Sequence, residues 1–113
     1  MDCLFCKIIN GEIPSKKIYE DNLIFAFEDI DPVSPIHALI IPKKHFSTIL
    51  EIKEENSNLI SAVFMAANKI AEQLNLNDSG FRIVTNCMED GGQTVFHVHF
   101  HLLAGRKMLW PPG

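Results

Sequence analysis

Across residues 54–74 the apolar side chains Leu59, Ile60, Val63, Phe64, Ala67, Ile70, Ala71 and Leu74 recur at i, i+3, i+4 and i+7. That spacing predicts an amphipathic helix with one buried face. Elsewhere the pattern is that of strands and turns. Leu4–Ile9 before Asn10-Gly11 reads as a short helix closed by glycine. The runs 17–20 and 23–28 flank Asp21-Asn22 and predict a hairpin. After the breaker Asp31-Pro32-Val33-Ser34-Pro35, residues 37–41 are nearly apolar throughout, which predicts a central strand buried on both sides. Residues 81–85 and 94–103 supply two more strands. Five strands and two helices predict an α+β fold, an antiparallel sheet with a helix laid across it.

The last of these strands carries the chemistry. Thr94-Val95-Phe96-His97-Val98-His99-Phe100-His101-Leu102-Leu103 places three imidazoles at period two between apolar neighbours. Side chains at i and i+2 of a strand share a face about 6.5 Å apart. Val95, His97, His99, His101 and Leu103 are therefore expected on one side, and Phe96, Val98, Phe100, Leu102 and Ala104 on the other. No core requires three imidazoles in a row, whereas a nucleophile, a general acid or base, or a metal ligand does. The preceding loop, Glu89-Asp90-Gly91-Gly92-Gln93-Thr94, has paired glycines that let backbone N–H groups approach an anion, with Gln93 and Thr94 as neutral donors beside them. An oxyanion or phosphate is the expected guest.

Composition narrows the field without naming a reaction. The chain has 113 residues, with 47% hydrophobic and 21% charged, the balance of one soluble globular domain spanning 1–113. No apolar run is long enough to span a bilayer. Its start lacks the basic and apolar stretches of a signal peptide, so a cytoplasmic location is expected. A net charge of −4 provides no basic face for nucleic acid. Cys3, Cys6 and Cys87 are odd in number, which argues against a disulfide framework. The thiol of Cys87 reads as an ordinary loop residue.

Three segments together resemble a known family. Asp90-Gly91-Gly92-Gln93-Thr94-Val95-Phe96-His97-Val98-His99-Phe100-His101, Ile41-Pro42-Lys43-Lys44-His45 and the terminal Gly105-Arg106-Lys107-Met108-Leu109-Trp110-Pro111-Pro112-Gly113 are similar to the histidine triad (HIT) proteins, in the branch of purine nucleoside phosphoramidases. The resemblance implies that His99 attacks the α-phosphorus and forms a nucleotidyl-histidine intermediate. It also implies that one ring nitrogen is held as N–H against a backbone carbonyl so that the other is free. His101, Asn86 and the backbone of Gly92, Gln93 and Thr94 are expected around the phosphoryl oxygens, and His37 is expected to support the triad. Thr94 stands where close relatives usually have serine, and would donate a proton to the leaving amine. The loop 86–90 is bulkier than is common in the family, which bears on leaving-group selectivity. Asp29 would accept from the two ribose hydroxyls, and Phe5, Ile8, Phe27, Ile30, Leu39 and Val95 would line the base pocket. Judged as residues alone, His37 reads as a strand-start residue with no role, Asp29 as a turn residue before Pro32, and the six apolar positions as simply core.

Cys3-x-x-Cys6 is weak by itself. It lacks the βαβ setting of a redox pair, and two unligated thiols in a short helix remain open. By resemblance, Cys3, Cys6, His45 and His97 would make a closed structural zinc site of two thiolates and two imidazoles. The implied ligand is a purine nucleoside monophosphate or phosphoramidate. The implied assembly is a homodimer with a continuous sheet, in which the tail 105–113 lies at the interface and Trp110 shapes access to the leaving group. A dinucleoside polyphosphate hydrolase and a nucleotide-binding regulatory module with little turnover are the competing expectations. A metal-storage strip would leave Asp29, Asn86 and Gly91-Gly92 unexplained.

Overall fold

The nearly apolar run after Pro35 forms the middle of a sheet, as its lack of a polar face requires. A computed structural model describes residues 2–113. Two helices, α1 (Leu4–Ile9) and α2 (Asn58–Gln73), accompany strands β1 (Lys17–Glu20), β2 (Ile24–Glu28), β3 (Ile36–Pro42), β4 (Arg82–Val84) and β5 (Phe100–Ala104). The strands pair antiparallel in the order β1-β2-β3-β5-β4. The expected α+β class and five-stranded antiparallel sheet are thus observed.

Register divides the sheet into two faces. Phe27 pairs with Leu39, and Leu39 with His101; side chains directly opposite one another in a ladder share a face. On that side Phe25, Phe27, Leu39 and Ile41 are covered by Cys3, Phe5 and Ile8 of the α1 region. On the other, Ile24, Ala26, Ala38, Ile40, Phe100, Leu102 and Ala104 pack against Leu59, Val63, Ala66, Ala67, Ile70 and Ala71 of α2. Each large aliphatic buried in this second cluster stabilises the fold by about 1.5–3 kcal/mol relative to exposure.

Three expectations need correction. Regular helix begins at Asn58, because the i→i+3 bonds Asn56 N–H to Lys53 O and Ser57 N–H to Glu54 O wind residues 54–56 into a 3₁₀ turn. None of residues 54–57 is buried, so nothing holds that stretch against the sheet. Phe64 and Leu74, assigned to the buried stripe, are 43% and 37% exposed. The stripe that touches the sheet runs through Leu59, Val63, Ala66, Ala67 and Ile70, leaving Phe64 at the margin with its ring edge toward Phe100.

The strand expected at 94–103 is regular only from Phe100. Continuing the β3–β5 ladder past Ile40↔Phe100 would bring Val98 opposite Pro42, and proline has no N–H to donate. The Val98 N–H donates instead to the Phe46 carbonyl at 2.7 Å. Side-chain alternation survives in part: Val98 is buried with the α2 side, while Phe96 is half exposed.

The turn after β5 needs glycine. Gly105 has φ +91°, and a Cβ there would lie 2.8 Å from the Pro35 side chain. Beyond it Leu109 and Trp110 are largely exposed.

Candidate active site and metal centre

The irregular segment between the loop and β5 turns successive imidazoles into two neighbouring sites. His97 is fully buried, and its Nε2–H donates to the Pro42 carbonyl at 2.8 Å. A carbonyl can only accept, so the proton sits on Nε2 and the Nδ1 lone pair points the other way. That lone pair lies 3.1 Å from His45 Nδ1, 3.4 Å from Cys3 Sγ and 3.6 Å from Cys6 Sγ, and Cys6 Sγ lies 3.5 Å from His45 Nδ1. Tetrahedral zinc, with bonds near 2.05 Å to nitrogen and 2.3 Å to sulfur, would separate its ligands by about 3.3 Å for N···N and about 3.5 Å for N···S. The four side chains therefore stand at the right spacing to hold a metal ion. Burial, followed by the neighbouring Cys3, holds the Cys6 thiol above its ordinary range. Binding a cation there displaces a proton. Both sulfurs come from the start of α1: Cys6 lies in its first turn, and Cys3 caps it, accepting from the Cys6 N–H.

Two residues on, His99 faces a different space. Its Nδ1–H donates to the carbonyl of His97 at 2.7 Å, which leaves the Nε2 lone pair free. His97 thus serves both sites, by its ring on one side and its carbonyl on the other. Phe5 touches both imidazoles, its ring centre 5.9 Å from that of His97 and 5.2 Å from that of His99, each pair set edge to face.

His99 opens into a cleft of about 460 Å³, within the range of small-molecule sites. Phe5, Ile8, Phe27, Leu39 and Val95 form an apolar end; Asp29, His37, Thr94, His99 and His101 bring polar atoms to it. Ile30 stands at the rim, 95% exposed. The lining also includes Leu4, Ile13, Pro14, Ser15, Glu28, Asp31 and Val33, which the sequence reading missed. The apolar pair Ile13-Pro14 inside an otherwise polar connection was the available signal for that wall.

His37 and His101 are adjacent across the β3–β5 ladder, and His37 Nε2 lies 2.8 Å from His101 Nδ1. Asp29 Oδ2 is 3.3 Å from the same His37 nitrogen, while Asp29 Oδ1 accepts from the Asp31 N–H. Burial pushes both imidazoles down. His101 falls to about 4, with the neighbouring His99 and His37 adding to the effect of burial; for His37, the negative charge of Asp29 opposes it. Both rings are neutral at pH 7.

The glycine loop differs from expectation. Its Gly92 N–H donates to Glu89 O, its Gln93 N–H to Met88 O, and the Gln93 amide donates to the carbonyls of Ser47 and Val95. Gln93 Oε1 in turn accepts from Met88 N–H. Gly92 and Gln93 therefore hold the loop shut and are not free donors for an anion. Gly91 is needed for the same closure, since a Cβ there would lie 2.5 Å from the Cys87 carbonyl oxygen. Asn86, Gly92 and Gln93 also lie outside the walls of the cleft, which Thr94 alone reaches from this loop.

The HIT domain model matches residues 10–108, and the chain belongs to the HIT family. A HIT family hydrolase from Legionella pneumophila superposes with a TM-score of 0.96 at 49% identity, covering 99% of this chain and 100% of that one. A histidine triad nucleotide-binding protein from Candida albicans gives a TM-score of 0.84 at 34% identity, over 97% and 83% of the two chains. A 14 kDa zinc-binding protein of Brassica juncea is 43% identical over 99% of this chain and all of its own length. Among the described residues no helix is long and apolar enough to cross a membrane.

Proposed function

We propose that this chain hydrolyses the P–N bond of purine nucleoside 5′-monophosphoramidates through a nucleotidyl-His99 intermediate. The observation that carries the reading is the His97 carbonyl on His99 Nδ1–H, which leaves His99 Nε2 unprotonated in a cleft with an apolar end. The base occupies the wall formed by Phe5, Ile8, Phe27, Leu39 and Val95, with Ile30 at its rim. Ribose hydroxyls donate to Asp29, and His101 donates to the non-bridging phosphoryl oxygens. The Nε2 lone pair of His99 forms a bond to phosphorus while the P–N bond breaks. Thr94 passes its hydroxyl proton to the departing amine. Water then attacks phosphorus as the Nε2–P bond breaks, returns a proton to Thr94 and frees the nucleoside monophosphate with His99 restored.

Cys3, Cys6, His45 and His97 hold a structural zinc ion in this reading, and two chains associate. The outer edge of β4 lacks a partner among the described residues, and Phe64, Met65 and Phe81 are exposed near it or on α2. Pairing two β4 edges makes one continuous sheet, and brings the tail 105–113 with Trp110 toward the neighbouring cleft. Sedimentation showing only monomer at micromolar concentration overturns the dimer. The deciding assay compares a nucleoside phosphoramidate with a dinucleoside polyphosphate as substrates. Preferential turnover of the phosphoramidate supports the reading. Preference for the polyphosphate, or no turnover of either, overturns it.

A further inference from the structure

The cluster Asp29–His37–His101 meets the distance requirement for a metal site, yet its hydrogen bonding points elsewhere. The Val33 N–H donates to His37 Nδ1 at 3.1 Å. A nitrogen that accepts cannot carry the proton, so His37 is protonated on Nε2. That N–H is directed at His101 Nδ1, and the 2.8 Å separation is shorter than the N···N distance of about 3.3 Å between tetrahedral zinc ligands. His101 Nδ1 is then the acceptor, and the His101 proton lies on Nε2, which has no partner among the described residues. His101 is a wall of the cleft beside His99. Asp29 Oδ2, 3.3 Å away, competes for the same His37 proton.

We propose that His37 is a positioning residue that locks His101 in the Nε2–H tautomer, so that a neutral His101 donates to the phosphoryl group. We propose further that Asp29 makes this lock respond to the sugar. The inference rests on the nucleotidyl-transfer reading for its kinetic consequence, whereas the tautomer is a property of the resting protein. An empty sugar subsite leaves Asp29 Oδ2 competing for the His37 N–H. Ribose hydroxyls that donate to the carboxylate withdraw it from that competition, and the N–H then serves His101 alone. Sugar recognition is thereby transmitted to the phosphoryl end through two hydrogen bonds. Discrimination against a sugar without hydroxyls should therefore appear in kcat as well as in KM.

The test has a structural and a kinetic arm. Nitrogen-15 NMR of the resting protein should find His101 protonated on Nε2 at pH 7. The His37→Leu variant, which has no donor, should show a tautomer mixture, and His37→Gln, whose amide N–H can donate in place of the imidazole, should restore Nε2–H. With an adenosine phosphoramidate, His37→Leu should lower kcat about tenfold or more and change KM less than about threefold, and His37→Gln should recover most of the loss. The 2′,3′-dideoxy substrate should lower kcat of the wild type, and that kcat effect should vanish in His37→Leu while the KM effect persists. A wild-type His101 protonated on Nδ1, or a tautomer unchanged by His37→Leu, overturns the lock whatever the turnover. An equal dideoxy effect on kcat in wild type and His37→Leu overturns the coupling to the sugar. Absence of turnover by the wild type overturns the proposed reaction, while the NMR result still decides the tautomer.

Discussion

The two faces of the sheet are built by the same strands and serve opposite ends. Strand β3 contributes Ala38 and Ile40 to the α2 side and His37, Leu39 and Ile41 to the α1 side. On the first side one helix of 16 residues lays a continuous apolar stripe over the sheet. The second is covered by a helix of only six residues, too short to be stable by itself in water. Its anchorage comes from Phe5 and Ile8, and from thiols that face two imidazoles. A face fully covered with hydrocarbon gains stability and leaves no room. A face covered sparingly keeps a cleft, and needs polar or metal contacts to hold its lid in place. Stability and chemistry are thereby separated by strand alternation alone.

The sharpest test of this division is His99→Ala. Turnover should fall below about one per cent of wild type, because the nucleophile is gone, while nucleoside monophosphate binding stays within about an order of magnitude. Thermal unfolding should shift little, since the change lies on the cleft side. Retention of more than about one per cent of kcat would mean that water attacks phosphorus directly.

The converse change is Ile70→Ala in α2. A fully buried side chain lost from the closed face should cost about 2–5 kcal/mol in chemical denaturation. In the surviving folded fraction, KM should be close to that of wild type. A large change in KM with little loss of stability would break the separation of the faces.

Metal removal should act on one face only. Protein purified without chelator should contain about one zinc per chain by elemental analysis. After chelation, hydrogen exchange should accelerate at α1 and around His97 much more than at α2. Because α1 also supplies Phe5 and Ile8 to the cleft wall, nucleotide affinity should weaken in the same preparation. Metal-free protein with both thiols freely reactive in the folded state would exclude the zinc assignment.

The smallest expected effect is on acid stability. His101 titrates at about 4 in the folded chain, below the ordinary histidine value of about 6.5. The unfolded chain therefore binds a proton that the folded chain refuses between those limits, and stability falls as pH drops from about 6.5 to 4. Partial exposure of the ring limits its share to on the order of 1–2 kcal/mol. Denaturation at pH 7, 5.5 and 4.5 should show a shallower decline for His101→Gln than for wild type. An identical slope would remove His101 as the source, leaving His37 and His97, which burial also pushes down.

Much of this was legible in the chain. Period-two alternation and one helical stripe define five strands, a long helix and the α+β class, because burial on one face leaves a local record every second or every third to fourth residue. The histidine run and the similarity of three segments identify the family, and the apolar character of residues 37–41 places that strand at the centre. Tertiary structure alone decided which polar atoms remain available. Pro42 ends a ladder on a neighbouring strand and so bends the segment carrying His97 and His99. The amides of Gly92 and Gln93, attractive as anion donors in sequence, close their own loop. The proton positions on His97, His99 and His37 follow from the carbonyls of Pro42 and His97 and the N–H of Val33. A residue's type sets which hydrogen bonds it can make, whereas the partner that uses each one is fixed by backbone groups brought from elsewhere in the chain.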